Sequence, residues 1–510
     1  MASFAHQATW AIAALSTFIG SAGGAVPQLA TSDDHTLVLR ADGTVWGWGG
    51  NHLGYLGDGT LIPRPSPVKI GSGFVSIGAG RTYSFGIKSD GSLWGWGAND
   101  RGQLGDGTTQ DRHVPTFIGT AFAAVAASWV GAVALKRDGS LWTWGNNAFG
   151  TLGNGRLDYH YVTTPQQVGH GFVAVHTSMT HVLALKADGS LWAWGPNGSG
   201  QLGIGDFEPR AVPTRIGEGF TAISAGEDFS LAIKQDGTLW SWGWNAYASL
   251  GLGIKGTAQD PSAAPGDEFV PLPQRVQGSG FAAVTNGSYH AHALKTDGSL
   301  WGWGMGAWGA VGDGMSERED GTAHLVFTPK WIGDGFWKTT NGGGNNNGFA
   351  IRFDGSVWAW GTNAGGQLGD GTMVDRLVPG PIGFNVFPES GLVADVVASG
   401  DLHERSLWAS FAPSQADGGK QGCIFVAAVL PGGAAYSLDR GGWRRHDRDA
   451  PRPYFCGALL GYEDLIQRAA DWRGLQGTDH WVGYGVGPSP KASLADMLSR
   501  GLVKHVHTVR

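Results

Sequence analysis

The stretch KRDGSLWTWGNNAFGTLGNG, residues 136–155, contains one copy of a signature that recurs along most of the chain. The signature reads Asp-Gly-(Ser/Thr)-(Val/Leu)-Trp-x-Trp-Gly, and its seven copies begin at Asp42, Asp90, Asp138, Asp188, Asp236, Asp297 and Asp354. Successive copies begin 48, 48, 50, 48, 61 and 57 residues apart. This period, in a chain of 510 residues with 87 glycines and 24 tryptophans, indicates an array of small units that stack on one another.

Each unit has the pattern of antiparallel strands. The Asp-Gly pair lies between two short apolar runs, where it predicts a tight hairpin because glycine adopts positive φ without steric cost. In the next strand Trp142 and Trp144 share one face and Leu141 lies on the other. Both faces are therefore apolar and must be covered, as they are when four-stranded sheets pack radially around an axis. The sequence predicts an all-β fold, a seven-bladed β-propeller over residues 26–387.

Two segments point to the type of repeat: GWGANDRGQLGDGT at residues 95–108 and AWGTNAGGQLGDGT at residues 359–372. With the Asp-Gly signature, they resemble the regulator of chromosome condensation repeat family over residues 25–383. Kelch repeats have a similar period, but the double glycine that marks them is missing here. The resemblance implies a seven-bladed propeller in which the first turn of each blade opens near the central channel. It says little about activity, since one fold hosts many functions.

The first turn of each blade varies from copy to copy. In chain order the turns read SDDH, GRTY, SWVG, SMTH, GEDF, GSYH and GNNN. A scaffold needs a small residue at the first position but has no reason to prefer aromatic or charged middle residues, which are typical of protein-binding faces. The predicted partner-binding residues are Asp33, Asp34, Arg81, Trp129, Met179, Glu227, Asp228 and Tyr289. Ordinary solvated turn residues are the alternative interpretation.

Three histidines, His35, His181 and His290, occupy the last position of the first turn in blades one, four and six. We do not expect them to bind a metal, because blades that are not adjacent hold them apart and a tetrahedral site needs ligands within about 2 Å of one ion. The family resemblance implies a structural role for a histidine at this position. No metal and no cofactor is expected.

Two spacings exceed the period and predict insertions in consecutive blades, at residues 253–276 and 314–331. Loops longer than a repeat requires often bind a partner, and an inert surface excursion is the alternative. Pro261, Pro265 and Pro271 stiffen the first insertion, which lowers the entropy cost of presenting it to a partner.

The N-terminal segment, residues 1–25, resembles a secretory signal. Residues 10–25 read WAIAALSTFIGSAGGA, an apolar run followed by small residues. No Lys or Arg precedes this run, so an incorrectly assigned start or a buried first segment is the alternative. We expect a bacterial protein that is secreted, periplasmic or on the cell surface, with a cytoplasmic location as the alternative. No other run approaches the roughly 18 apolar residues of a membrane helix.

After residue 387 the repeat ends, and residues 388–510 predict a small, mostly-β C-terminal module that loosely resembles terminal modules of bacterial exported proteins. Predicted strands lie at residues 422–433, 434–443, 454–460, 480–487 and 502–509, and a short helix lies at residues 493–501. The two cysteines, Cys423 and Cys456, would form a disulfide in an exported protein, adding about 3 to 4 kcal/mol by restricting the unfolded chain. Two buried reduced thiols are the alternative.

Charge and motifs limit the function classes. The net charge is −7, with the acidic excess in residues 1–388, and no block of basic residues could follow a phosphate backbone, so nucleic acid is not an expected partner. No phosphate-binding loop, nucleophile elbow or metal-ligand motif is present, which favours a non-enzymatic protein. We expect a monomer that binds a protein partner through the first turns. The family also implies two alternatives: a guanine-nucleotide exchange factor for a small GTPase, or an inhibitor of a secreted enzyme.

Overall fold

The computed structural model describes residues 25–129, 131–177, 181–254, 268–317, 324–341, 346–352 and 354–387, and the backbone of nine strands between Val393 and Thr508. Seven four-stranded antiparallel sheets precede Val393, and each consists of four strands consecutive in the chain. Two single turns of 3-10 helix, Ala148–Gly150 and Ala307–Gly309, are the helices of the described residues. The predicted seven-bladed β-propeller is confirmed.

Each blade begins with a short strand and ends with a longer one. Blade one contains β1 (Gln28–Thr31), β2 (His35–Leu39), β3 (Val45–Gly49) and β4 (Arg64–Gly71); blade two contains β5 (Phe74–Ala79), β6 (Tyr83–Lys88), β7 (Leu93–Gly97) and β8 (Arg112–Gly119); blade three contains β9 (Phe122–Ala127), β10 (Gly131–Lys136), β11 (Leu141–Asn146) and β12 (Tyr161–Gly169). Blade four contains β13 (Phe172–Thr177), β14 (Val182–Lys186), β15 (Leu191–Gly195) and β16 (Arg210–Gly217); blade five contains β17 (Phe220–Ala225), β18 (Phe229–Lys234), β19 (Leu239–Trp244) and β20 (Phe269–Arg275). Blade six contains β21 (Phe281–Asn286), β22 (His290–Lys295), β23 (Leu300–Met305) and β24 (Leu325–Gly333); blade seven contains β25 (Phe336–Asn341), β26 (Asn347–Arg352), β27 (Ser356–Gly361) and β28 (Arg376–Asn385).

The first tryptophan of each signature stabilises the Asp-Gly hairpin. In blade three, Asp138 Oδ1 accepts hydrogen bonds from the backbone N–H and hydroxyl of Ser140, and Gly139 has φ +76°. The same Ser140 hydroxyl accepts the indole N–H of Trp142 at 2.8 Å, and the Lys136 ammonium lies 4.0 Å from the Trp142 ring centre. All seven blades repeat the indole-to-hydroxyl bond, so these motif residues are structural.

The second tryptophan joins neighbouring blades. All seven are fully buried, and each donates its indole N–H to a backbone carbonyl of the preceding blade at 2.9 to 3.1 Å. The bond from Trp48 reaches the Gln367 carbonyl of blade seven and closes the ring. Closure also packs Val38 of blade one against Phe349 and Phe387. Since burying an aromatic side chain contributes several kcal/mol, this one repeated position carries much of the packing between blades.

The outer strand of every blade is a sheet edge that contains proline. Pro115 of β8, Pro165 of β12 and Pro213 of β16 are examples. Proline cannot donate to a further strand, so it protects an exposed edge from pairing with another sheet.

Strand direction places two kinds of loop at the same end of the ring. Because the strands alternate in direction, the turn from strand one to strand two and the loop from strand three to strand four lie together, and the Asp-Gly turns lie at the opposite end. The N–H of Trp244, the last residue of β19, donates to the carbonyl of Asp228 in the first turn of the same blade at 2.9 Å. We call this end the mouth face and the other end the Asp-Gly face.

The predicted insertions need a correction. The segment 253–276 contains strand β20, and the segment 314–331 contains most of β24, so both fourth strands of the regular blade lie inside them. The extra residues precede these strands, because the fourth strand is required to complete each sheet. Pro261, Pro265 and the rest of residues 255–267, and residues 318–323, lie outside the described residues.

The described backbone of the C-terminal part consists of strands, and the segment predicted as one strand at 434–443 spans two paired strands, β32 and β33. A six-stranded sheet contains β31 (Gln421–Val429), β32 (Ala435–Asp439), β33 (Gly442–His446), β34 (Pro453–Ala458), β36 (Asp479–Val486) and β37 (Val503–Thr508), and a three-stranded sheet contains β29 (Val393–Ser399), β30 (Arg405–Ala412) and β35 (Glu463–Ala470). The predicted helix at 493–501 lies outside the described residues. Cys423 and Cys456 are register partners across β31 and β34.

Candidate functional site at the channel mouth

The first strand of each blade is the inner strand of the ring. The last residue of each of these seven strands lines a single cavity of about 220 Å³: Thr31, Ala79, Ala127, Thr177, Ala225, Asn286 and Asn341. Ser32 and Asp33, Gly80 and Arg81, and Ser128 and Trp129 line the same cavity. The first turns therefore surround the mouth of the central channel, as the family resemblance implies.

On one side of the mouth, three predicted site residues from three blades form a connected cluster. Arg81 Nε lies 3.3 Å from Asp33 Oδ2, and the Arg81 guanidinium carbon lies 4.3 Å from the centre of the Trp129 ring. Burial raises the pKa of Asp33 to about 6, and the Arg81 charge opposes this effect without overcoming it. We call Asp33, Arg81 and Trp129 the guanidinium side of the mouth.

A second cluster joins blades five and six. The Tyr289 ring lies 4.7 Å from the Tyr247 ring and 5.9 Å from the Trp244 ring, measured between centres, and Trp244 and Tyr247 are 5.5 Å apart. Tyr289 and Ser288 both hydrogen-bond the Glu227 carboxylate. We call Trp244, Tyr247 and Tyr289, with the carboxylates of Glu227 and Asp228, the aromatic side of the mouth.

The electrostatics of the aromatic side disfavour further negative charge. Burial raises the pKa of Glu227, and the neighbouring Asp228 and more distant Asp33 add to the effect. Burial likewise raises the pKa of Asp228, whose Oδ1 accepts a hydrogen bond from the Gln201 amide at 3.1 Å. Burial and the Glu227 charge raise the pKa of Tyr289 to about 12. The mouth is thus an acidic surface with aromatic rings in it.

Asn286 adds a polar group at the edge of the channel. Its Nδ2 donates to the carbonyls of Ser224 and Phe229 at 3.3 and 3.4 Å, which fixes the orientation of the amide. In the described part of the chain, no donor reaches its Oδ1, although the residue is only 5% exposed. Such a buried acceptor is costly to leave unpaired.

The remaining predicted site residues differ in status. Asp34 is exposed beside Asp33 and belongs to the acidic surface. Met179 lies outside the described residues. The structure therefore brings together six of the eight predicted residues in two clusters, whose role in binding a partner remains a prediction.

Sequence reasoning missed Trp244, Tyr247 and Asn286, and also a set of apolar residues farther from the channel. Leu53, Phe149 and Trp308 occupy the position equivalent to Tyr247 in the loops after strand three and are 39%, 49% and 52% exposed. Phe149 and Trp308 have φ of +52° and +54°, which is uncommon for bulky residues and recurs at functional sites. These residues occupy the third position of the Asn-x-x-Gly segment that follows strand three. Aligning the repeats on that segment would have shown that this position is variable and often apolar.

Two of the three histidines of the first turns connect neighbouring blades. Nε2 of His35 lies 2.8 Å from Ser84 Oγ in blade two, and Nε2 of His181 lies 2.7 Å from Ser230 Oγ in blade five. Burial lowers the pKa of His35, His181 and His290 to about 3, so they are neutral at physiological pH. Among the described residues no group of three His, Cys, Asp or Glu side chains could hold a metal ion. Within the same residues, no helix has the length and apolarity to span a membrane.

Family models match most of the chain. The RCC1-like domain matches residues 12–340, and the regulator of chromosome condensation (RCC1) repeat matches residues 354–403. The chain belongs to the RCC1-like domain family. The first match begins inside the apolar run at residues 10–25.

Curated relatives are similar over shorter stretches. The ultraviolet-B receptor UVR8 of Arabidopsis thaliana is 29% identical over 117 residues, which is 21% of this chain and 24% of the receptor. Human protein RCC2 is 35% identical over 106 residues, 19% of this chain and 18% of RCC2. The matched segments thus cover a quarter or less of these relatives.

Solved structures support the fold over a longer range. Yeast RCC1 (Prp20), in a crystal structure with Kap60, has a TM-score of 0.60 and 20% identity, and the alignment covers 73% of this chain and 87% of the yeast chain. At this level of identity the likeness establishes the RCC1-type propeller and leaves the partner of this RCC1-like protein open.

Proposed function

We propose that this RCC1-like protein is a non-enzymatic interaction protein that binds a protein partner through the mouth face of the propeller. The observation that carries the proposal is the pair of side-chain clusters at the channel mouth. Each cluster joins variable residues from different blades, and the seven repeated signatures make no use of them. Aromatic and arginine side chains of this kind dominate the energetics of protein interfaces.

The rest of the mouth face supports a large contact area. Leu53, Phe149 and Trp308 are exposed around the mouth, at the end where the aromatic and guanidinium sides also lie. Aromatic residues and arginine are enriched at protein interfaces, and this face presents both. Yeast RCC1 (Prp20), which shares the fold, was crystallised with a protein partner, Kap60.

Partner capture tests the proposal. The full chain, with an affinity tag, is used to capture proteins from the cells that make it, with the Trp129→Ala and Tyr289→Ala variants in parallel. If both rings are anchors, each variant should reduce capture of the same partner by about fivefold or more, equivalent to about 1 kcal/mol. The matched control is Trp331→Ala, which removes an exposed tryptophan from the outer strand β24 and should leave capture unchanged.

Two outcomes would contradict the proposal. Equal capture by all four proteins would remove the mouth face from the interface. Accelerated nucleotide release from a small GTPase in the presence of the wild-type protein would favour the exchange-factor alternative.

The predictions of export and of a disulfide stay proposals. The register of Cys423 and Cys456 supports pairing, since directly opposed residues of antiparallel strands have Cα atoms about 4.5 to 5.5 Å apart, within the range of disulfides. Thiol titration of the denatured, unreduced protein isolated from its source tests the pair. Two free thiols per chain would exclude the disulfide and weaken the argument for an oxidising compartment.

A further inference from the structure

We propose that the aromatic side of the mouth binds a basic side chain, arginine or lysine, presented by an extended segment of the protein partner. This inference rests on the proposed function and specifies the chemistry of the partner. It is carried by two features of the same corner: a cluster of three aromatic rings, and the Asp228 carboxylate, which no Lys or Arg of the described residues pairs with.

The guanidinium side provides an internal precedent. There a guanidinium stacks on the Trp129 ring and pairs with the Asp33 carboxylate, so both the ring and the acid already have a cation. Cations favour the faces of aromatic rings because of the ring quadrupole, and the gain is larger where water is partly excluded. A basic side chain with an aromatic surface and a carboxylate is thus an arrangement that this mouth already contains once.

The aromatic side has the ring and acid components of this arrangement. Trp244, Tyr247 and Tyr289 contact one another next to Glu227 and Asp228. In the described part of the chain, no Lys or Arg stacks on these three rings, and none pairs with Asp228. A cation from outside the molecule would complete the pattern.

Asn286 lines the central cavity next to this corner, and its Nδ2 donates to the carbonyls that flank the Glu227 turn. A guanidinium or ammonium group has only donors, five in arginine and three in lysine, and can pair with the Asp228 carboxylate. An acidic ligand would instead add negative charge beside Glu227 and Asp228.

The charge of the molecule agrees with this choice. Residues 1–388 contain 29 acidic and 22 basic residues, and Asp33, Asp34, Glu227 and Asp228 all lie in the first turns around the mouth. Such a surface attracts positively charged segments and repels acidic ones. A second copy of this acidic chain would be a poor occupant for the same reason.

Peptide binding to the full-length protein tests the inference. The probe is a fluorescein-labelled peptide of three Gly-Ser-Arg repeats, and the matched peptide carries citrulline, which keeps the shape of arginine and removes its charge. By fluorescence anisotropy at low salt, the arginine peptide should bind about tenfold more tightly than the citrulline peptide. Asp228→Asn and Tyr289→Ala should each remove most of this difference, and Tyr289→Phe, which keeps the ring, should retain more of it than Tyr289→Ala.

The control variant is Glu218→Gln on the Asp-Gly face. It removes one negative charge, as Asp228→Asn does, from an exposed residue that pairs with Arg215 far from the first turns in the blade topology. Its affinity for the arginine peptide should equal that of the wild-type protein. Thermal unfolding of each variant verifies that it is folded.

Three results would overturn the inference. The arginine peptide could bind no better than the citrulline peptide, or Glu218→Gln could weaken binding as much as Asp228→Asn. Sedimentation could instead detect a dimer that Asp228→Asn dissociates, which would make a second copy the occupant. If partner capture depends on the mouth but the two peptides bind equally, the proposed function stands and this inference fails. If capture is insensitive to the mouth, the proposed function fails, and the inference that rests on it fails as well.

Discussion

The two sides of the channel mouth use similar residues in different states. On the guanidinium side, Arg81 stacks on Trp129 and pairs with Asp33, so the charge and the ring are satisfied within the protein. On the aromatic side, Trp244, Tyr247 and Tyr289 lie beside Asp228 with no described cation on the rings. One side is thus already occupied by the protein's own arginine, while the other has the rings and the acid for the cation that we propose a partner supplies.

If the mouth residues serve binding, they should contribute little to the free energy of unfolding. The largest expected effect therefore lies away from the mouth. Trp144→Ala removes a fully buried indole and its bond to the Gln103 carbonyl, and we expect a loss of about 3 to 5 kcal/mol in the free energy of unfolding. Urea denaturation measures it. Tyr289→Ala, as the matched aromatic replacement at the mouth, should cost well under half as much; an equal cost would make the aromatic side part of the core.

The second prediction concerns the pKa of Asp33, which burial raises more than the Arg81 charge lowers it. Because the folded-state pKa of Asp33 is raised to about 6 from 3.8, the folded protein binds more protons than the unfolded chain between these values. The free energy of unfolding should therefore fall as pH rises from 4 to 7, by about 3 kcal/mol for this group. Asp33→Asn should remove that part of the pH dependence in urea denaturation. Asp34→Asn, at the exposed neighbour, is the control, and identical pH profiles for Asp33→Asn and wild type would refute the raised pKa.

A third prediction converts one side of the mouth into the other. Arg81→Met removes the cation from Trp129 and Asp33 while keeping an unbranched side chain. The guanidinium side should then accept an external cation, so the arginine peptide should bind about threefold to fivefold more tightly than to wild type. Fluorescence anisotropy measures the change. Arg101→Met, which removes another exposed arginine, controls for the lost positive charge, and an equal gain in that variant would reduce the effect to long-range attraction.

The smallest expected effect is the pH dependence of peptide binding. Burial raises the pKa of Glu227 and Asp228 above their ordinary values, so both carboxylates become more fully charged as pH rises through that raised range. The affinity for the arginine peptide should increase in the same direction, and Asp228→Asn should flatten the increase. Anisotropy titrations across the acidic range measure this. Affinity for the citrulline peptide should not follow the same curve, and a parallel increase would point to a general change in the protein.

Sequence reasoning predicted the propeller because its determinants are local. Asp138, Gly139 and Ser140 form the hairpin among themselves, and the alternation of Leu141, Trp142 and Trp144 sets which face each side chain occupies. Leu141 packs in the core between blades three and four, and Trp144 in the core between blades two and three, as that alternation predicts. A sheet that is covered on both faces keeps the two-residue alternation of its strands, so seven copies of the pattern were enough to predict seven blades.

The site was predicted only in part. The first turns were identified because they vary against a repeated background; Trp129 lines the central cavity, and Tyr289 stacks on Tyr247 of the same face. Tyr247 was missed because it lies in a different loop, 42 positions before Tyr289 in the chain, and only the mouth brings the two rings together. The insertions were placed in the right blades, but the fourth strands inside them were not recognised because neither contains the Val-Pro-Thr pattern of β8 and β16.

By itself, the sequence determined the repeat, the strand faces and the number of blades, since hairpin chemistry and burial act over a few residues at a time. Tertiary structure alone decided that Arg81 stacks on Trp129 while Tyr289 stacks on Tyr247. Those contacts join different blades, and their geometry depends on ring closure and on the path of each loop. Local propensity does not encode such distances, so the chemistry of the mouth emerges only once the seven blades surround one axis.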